Sequence, residues 1–352
     1  MPSDETVGVR ADKRIEMREL LARCNAFRGA DTGRSIFQLV TTGGGYFITI
    51  ALMLHYFMAG NYLASTLLTL IASGLLTRLF IIQHDCGHGS FFRTRDANEM
   101  VGRCISILTF TPYDFWRRAH AMHHAASGSL NRRSVGGLDT ITVNEYKALP
   151  ENQRRIYTIY RQPFSQLIVI PILYIFFIQR FPPSQTMPFL KEYTSIPLKD
   201  SWRSIVGLDI ALFIGIVVMG TTLGWVPFLF CYMPVVVLTT IIGGWLFYIQ
   251  HQFEDTYWEH DTNWDFHEAA VMSSSYYVLP PILNWFSGNI GLHHIHHLCS
   301  MIPNYKLPEC LKAIPEFQKT NRLTIRESFH CLRWALWDEA KKKMVTFQEV
   351  NA

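Results

Sequence analysis

The sequence predicts an all-α integral membrane protein: two transmembrane helical hairpins, four spans in total, carrying a histidine-rich cap. Three observations predict it. Hydrophobic residues make up 49% of the 352 and charged residues only 17%, where about 25% charged is usual for a soluble domain. The charges are unevenly spread, since Ile36 to Thr77 holds no Asp, Glu, Lys or Arg and Ser204 to Phe253 holds only Asp209. Nine of the fourteen histidines fall in three tight clusters, eight of them at metal-ligand spacing, each cluster just outside an apolar segment. The net charge of +4 is small, and no aromatic–basic motif accompanies it. The basic residues therefore read as membrane topology and exclude a nucleic-acid binder.

The chain reads as one domain. Residues 1–35 are polar and charged, unlike a cleavable signal peptide, so insertion falls to the first span. Crossing a bilayer takes about 20 apolar residues in a helix. Ile36–Met58 and Tyr62–Ile82 are long enough, and Ala59-Gly60-Asn61 joins them into a first hairpin, 36–82. A polar region follows, 83–204. Within it Phe164–Ile178 is apolar but only 15 residues long, with Pro171 in its middle. A lone crossing there would put the third histidine cluster on the opposite side from the first two. Residues 164–178 are therefore predicted to be an interfacial or re-entrant helix. The second hairpin, 205–250, pairs Ile205–Leu223 with Phe228–Gln250 through Gly224-Trp225-Val226-Pro227. Residues 251–352 form a polar cap, whose Lys341-Lys342-Lys343 run reads as solvated or facing headgroups.

Both hairpin links are uncharged. Arg10, Lys13, Arg14, Arg18, Arg23, Arg28 and Arg34 precede the first span, and Arg93, Arg95, Arg103, Arg117 and Arg118 follow the second. The positive-inside rule then places both termini, the central region and the histidine clusters in the cytoplasm. The seven cysteines show no C-x-x-C spacing, so reduced thiols are expected, not a disulfide scaffold or zinc ribbon.

The clusters are His84-Asp85-Cys86-Gly87-His88, His120-Ala121-Met122-His123-His124 and His293-His294-Ile295-His296-His297. Residues three and four apart on a helix share a face, about 5–6 Å between Cβ atoms, so each cluster can aim two or three imidazoles at a metal. His294 lies about 100° from His293 on a helix and is left out. Eight imidazoles exceed what one ion takes, so two metals are implied. Imidazoles without thiolate fit iron, copper or zinc. Structural zinc usually closes with four ligands, often cysteine, and a two-metal site beside a membrane suits redox chemistry better. Metal-bound histidines usually hand their second nitrogen to a carboxylate or carbonyl. Asp85, Asp114, Asp139, Glu254 and Asp255 are candidates, Asp85 and Glu254 foremost. His260, His267 and His330 stand alone and read as surface or structural, and His55 as an interface residue.

The pattern H-x-x-x-H, H-x-x-H-H, H-x-x-H-H, split around a second hydrophobic hairpin, resembles the membrane fatty acid desaturases. The longer strings His84 to Phe92, Gln250 to Asp255 and Gly288 to His293 are similar to the bacterial acyl-lipid desaturases. Three residues inside the first box, not four, also resemble the acyl-lipid type more than the stearoyl-coenzyme A type. The resemblance covers nearly the whole chain. It implies a di-iron centre held by His84, His88, His120, His123, His124, His293, His296 and His297, with His251 as a ninth ligand at the end of the fourth span. It implies O2 as co-substrate and electrons from a separate protein. No His-Pro-Gly-Gly haem motif is present, so a fused cytochrome b5 domain is not expected; the implied donor is a ferredoxin or a free cytochrome b5-like protein, and a bacterial setting favours ferredoxin. The implied activity is desaturation of fatty acyl chains of membrane lipids, in a bacterial inner or plasma membrane.

The alternative enzyme on this scaffold is a di-iron hydroxylase or ketolase. A metal transporter would need ionisable residues at mid-membrane depth, and these spans are almost uncharged. Gly43-Gly44-Gly45 and Gly243-Gly244 could pack helices closely or leave room for a chain. Trp116, Trp245, Trp258 and Trp285 could line a tunnel mouth or anchor at headgroup level.

Overall fold

The computed structural model describes residues 15–133, 137, 139–181 and 196–351. Four helices in it are long and apolar enough to cross a membrane: α1 (Thr32–Met58), α2 (Tyr62–His88), α7 (Leu198–Leu223) and α8 (Trp225–His251). Each has 26 or 27 residues, about 40 Å at 1.5 Å per residue, so each overshoots the apolar core of a bilayer. The overshoot carries α2 and α8 beyond the apolar limits of the sequence, as far as His88 and His251.

The first link is as expected. Asn61 caps α2 by accepting the Ala64 amide at 3.1 Å, which satisfies a donor left open at the helix start. The second link is shorter than the four residues expected. Gly224 alone separates α7 from α8, and Trp225, Val226 and Pro227 already belong to α8. A proline within the first turn costs no helical hydrogen bond, so Pro227 does not mark the turn.

α2 is the central helix, with 61% of its most apolar window buried against 33%, 22% and 28% in α1, α7 and α8. Its Leu75, Leu76, Leu79 and Ile82 pack with Tyr46 and Met53 of α1 and Val235 and Val236 of α8. The other spans show apolar side chains outward, among them Phe37, Phe47, Phe213 and Ile214. Exposed apolar surface of that extent is a liability in water and ordinary in lipid.

α3 (Arg95–Leu108) and α4 (Tyr113–Ala126) follow the first hairpin, and α4 carries the second histidine cluster. α5 (Glu151–Tyr160) leads into the apolar run, which holds a π turn at Ser165–Val169, α6 (Ile170–Phe176) and a 3-10 turn at Ile178–Arg180. The chain bends by 67° between α5 and this segment. Pro171 stands in the first turn of α6 and does not interrupt it. A Cβ on Gly244 would meet the Pro171 ring at 2.4 Å, whereas Gly43, Gly44 and Gly243 face open space. Gly244 thus lets this segment press against α8. Asp209, the one carboxylate of the apolar stretch, pairs with Arg180 at 2.9 Å and ties the segment to α7.

The cap contains short helices, α9 (Phe266–Met272), α10 (Pro281–Phe286) and α11 (His293–Leu298), and two small ribbons. β1 (Tyr276–Val278) pairs in parallel with β2 (Arg322–Thr324), and β3 (Leu336–Asp338) pairs antiparallel with β4 (Lys343–Val345). These three-residue strands are the departure from an all-helical reading. α11 stops at Leu298, and Pro303 precedes the 3-10 turn that follows at Asn304–Lys306. The lysine run is paired: Lys341 with Asp338 at 3.6 Å, Lys342 with Glu259 at 2.7 Å and Lys343 with Glu254 at 3.0 Å. Arg10, Lys13 and Arg14 lie outside the described residues.

Candidate metal centre

The ends of α2 and α8, the second half of α4 and the short α11 meet at one point. Nine histidines converge there in two sets. His84, His88, His120, His124 and His296 form one, and His123, His251, His293 and His297 the other, with ligand atoms inside each set all within 4.8 Å of one another. The two H-x-x-H-H boxes are shared crosswise. The second box gives its i, i+4 pair, His120 and His124, to the five-histidine set and His123 to the four-histidine set. The third box gives His293 and His297 to the four-histidine set and His296 to the five-histidine set.

The donor sets fit metal ions. Nitrogens bound to one ion at about 2.1 Å are held about 3.0–3.4 Å apart for angles between square and tetrahedral. Nε2 of His251 lies 3.1 Å from Nε2 of both His123 and His293. In the other set Nε2 of His124 lies 3.1 Å from that of His120 and 3.2 Å from that of His296. Nε2 of His88 and of His297 is buried without a hydrogen-bond partner, an arrangement that is costly unless a ligand satisfies it. Burial, and then repulsion from neighbouring imidazoles, holds His120, His123, His124, His293, His296 and His297 well below the usual histidine range. They are therefore neutral near pH 7, the form that binds a metal.

Supporting contacts orient the rings. Nδ1 of His84 donates to Asp85 Oδ1 at 3.2 Å. Asp85 Oδ2 in turn accepts from the Asn304 amide at 2.7 Å and its Nδ2 at 2.8 Å, which ties the first box to the chain just after the third. Nδ1 of His251 donates to the Ser273 carbonyl at 3.0 Å, leaving Nε2 free to face its set. Trp116 stacks on His120, 4.9 Å between centroids and 10° between planes. A Cβ on Gly87 would sit 3.0 Å from the Trp116 ring, so the glycine inside the first box leaves space for that indole. Gly291 has a similar role at α11: its Cβ would fall 2.5 Å from the Tyr277 carbonyl, and the Tyr277 amide donates to the Gly291 carbonyl at 2.8 Å. Phe247 closes the apolar side, 5.3 Å from His123 and 5.5 Å from His251.

Several candidates lie elsewhere. Glu254 pairs with Lys343 and does not reach a histidine, because the chain turns away after α8 ends. Asp255 is exposed, and Asp114 is engaged by Arg103 at 2.9 Å. Asp139 is buried beside Arg161 and Tyr160, and burial pushes its carboxyl up to about 6. His294 is buried but turned the other way, with Nε2 donating to the Phe317 carbonyl at 3.0 Å. His260 pairs with Glu339 at 2.9 Å, and His267 lies 3.9 Å from Asp265. His55 and His330 are exposed. Of the four tryptophans only Trp116 touches the cluster: Trp245 donates to Tyr277, and Trp285 lies under Arg78 at 4.4 Å. Sequence reasoning misses Asn304 and Ser273, which support the site from loop positions with no sequence signature.

Fold and site together define a membrane protein built around a buried histidine cluster able to hold two metal ions. The chain belongs to the fatty acid desaturase family, whose model matches residues 60–329. It is 37% identical to a fatty acid desaturase of Bacillus subtilis over 336 residues, covering 96% of this chain and 92% of that protein. It is 27% identical to a Synechocystis sn-1 acyl-lipid omega-3 desaturase (ferredoxin), over 85% of this chain and 82% of that one. It is 25% identical to an Arabidopsis thaliana acyl-lipid omega-3 desaturase (cytochrome b5) of the endoplasmic reticulum, over 68% of this chain and 60% of that one. The protein is an oxidoreductase that desaturates fatty acyl chains. The family favours this over the hydroxylase, ketolase and transporter alternatives.

Proposed function

We propose that the two histidine sets hold one iron each, His84, His88, His120, His124 and His296 around the first and His123, His251, His293 and His297 around the second. The protein would then use O2 to place a double bond in acyl chains carried on membrane lipids. The observation that carries this reading is the crosswise five-and-four division of nine histidines, with ligand atoms in each set within 4.8 Å. Irons bound there would supply, with O2, the oxidising power that no side chain has for an unactivated methylene chain. Reduction of O2 to two waters takes four electrons; the acyl chain yields two and an external protein the other two. The donor is a ferredoxin or a cytochrome b5-like protein, as the names of the two kinds of relative suggest.

The chain's own residues prepare that chemistry. Asp85 and the Ser273 carbonyl fix the tautomers of His84 and His251. Trp116 and Phe247 wall the cluster with aromatic surface and exclude water. The segment 164–178 serves as a re-entrant or interfacial element, so that both hairpins return to one side. Basic residues before α1 and after α2 support the reading that this side faces the cytoplasm of a bacterial inner membrane.

The test is expression in a host lacking desaturases, with total fatty acids analysed by mass spectrometry and metal content measured on the purified protein. New double bonds and about two irons per chain are expected. Hydroxylated or keto products without a new double bond, or zinc in place of iron, would overturn the reading.

A further inference from the structure

Beside the histidine cluster lies a separate cleft of about 560 Å³, between α3, α4 and the first half of α7. Its lining changes from charged to apolar along α3 and α7. On α3, Arg95, Glu99 and Arg103 share a stripe that ends one turn later at Ile107. On α7, Arg203 is followed at successive turns by Gly207 and Ala211, about 12 Å from first to last. α4 faces the charged level of α3: the Tyr113 ring packs on Gly102, Asp114 pairs with Arg103, and Arg117 and Arg118 follow a turn later. One end is therefore cationic and the other apolar. The apolar end lies along α7 as it enters its membrane-spanning stretch.

The charge at the polar end is not balanced from within. Glu99 pairs with Arg95 at 2.6 Å and Arg103 at 2.9 Å, Asp114 with Arg103 at 2.9 Å and Asp200 with Arg118 at 2.6 Å. Two cations of the lining are left over. Arg117 comes no closer than 4.0 Å to Glu99, and its Nε is buried without a hydrogen-bond partner. Arg203 is exposed and forms no ion pair among the described residues. Arg117 stands three residues before His120 on α4, which sets the cationic end one helical turn from the five-histidine set.

We infer that this cleft binds the headgroup phosphate of a glycerophospholipid, with Arg117 and Arg203 on the phosphate and the first methylenes against Gly207, Leu208 and Ala211. Paired guanidinium groups match phosphate oxygens geometrically, and an apolar floor suits a lipid better than the convex face of a donor protein. The inference deepens the acyl-lipid reading, on which it rests, by naming the headgroup chemistry and the residues that read it.

The test uses the purified full-length protein in a neutral detergent, with dihexanoyl-phosphatidylglycerol as probe and calorimetry or native mass spectrometry as readout. The wild type is expected to bind it, and the phosphate-free dihexanoylglycerol far more weakly. The double variant R117Q/R203Q is expected to lose roughly tenfold or more in affinity. The single variant R203Q, at an exposed position that cannot compromise folding, is expected to lose several-fold and to flatten the salt dependence. Equal binding of both lipids, or unchanged affinity in R203Q, would overturn the inference. So would tighter binding of inorganic phosphate or dodecanoyl-coenzyme A than of the phospholipid. A defect in R203Q that appears only with a protein electron donor, and vanishes with a chemical reductant, would reassign the cleft to donor docking. Binding is read without turnover, so a protein that binds the lipid normally yet forms no double bond would fail as a desaturase while sustaining the site.

Discussion

The two histidine sets use the same parts and differ in how they are completed and supported. The five-histidine set takes an i, i+4 pair from α2, another from α4 and His296 from α11, and it is only partly buried at His88, His120 and His124. The four-histidine set takes one such pair, from α11, with His123 and His251, and all four are buried. The missing fifth member traces to a helix end. α2 continues a full turn past His84 and so presents His88, whereas α8 stops at His251 and the chain leaves at Gln252. Because His123 and His296 cross between sets, neither set can form without both boxes. The boxes are not the sites. The largest predicted effect follows from this sharing. His124 belongs to the five-histidine set and stacks on His297 of the other, 4.0 Å between centroids and 10° between planes. His124→Ala is expected to lose the desaturated product entirely and most of the metal from both sets, with the protein still present in the membrane. Metal analysis and fatty acid profiles check it; normal metal content in this variant would break the coupling.

His251→Ala separates the sets instead. Its Nε2 is the common neighbour of His123 and His293, at 3.1 Å from each, and removing it leaves three donors in a closed pocket. Bound metal is expected to fall from about two to about one per chain, with the remainder in the five-histidine set. Product formation is expected to stop, because both sets are needed. Metal analysis and the spectroscopic signature of a single ion would show it. Two ions retained would mean that the four-histidine group is not completed by His251.

Much of this arrangement was legible in sequence, and the limits of that legibility are physical. Spans, hairpins and the positions of the three boxes follow from apolar length and i, i+4 spacing, both local properties of a helix. Spacing also excludes His294, which lies on the far face and bonds the Phe317 carbonyl. The crosswise division of the boxes is not local. An i, i+3, i+4 triplet occupies one face, and only the placement of α4 against α11 decides which ring joins which set. Adjacency to His251 favours Glu254, but the chain breaks its helix at Gln252 and sends the carboxylate to Lys343. The support of His251 is a main-chain carbonyl, which any residue at 273 would supply, so no side-chain identity could announce it. The cap's strands are three residues long, too short for alternation to stand out from its surroundings.

The difference in support gives the smallest of the three predicted effects and the sharpest test of the comparison. A carboxylate orients His84, whereas a backbone carbonyl orients His251, so substitution can weaken the first but not the second. Asp85→Asn keeps the volume and leaves one oxygen for the Asn304 amide, which donates at 2.7 Å. It turns an amide NH2 toward a ring nitrogen that is itself a donor, and it removes the negative charge that strengthens His84 as a ligand. Loss of such a partner typically costs about 10–100-fold in metal affinity. The expected outcome is a biphasic chelator titration: the metal of the five-histidine set leaves about 10–100-fold more readily, and that of the four-histidine set leaves as in the wild type. Activity should fall without vanishing when metal is in excess, since all nine imidazoles remain. Equal weakening of both ions would mean that Asp85 supports the cluster as one body, through its link to Asn304 and the loop after α11, and not His84 alone.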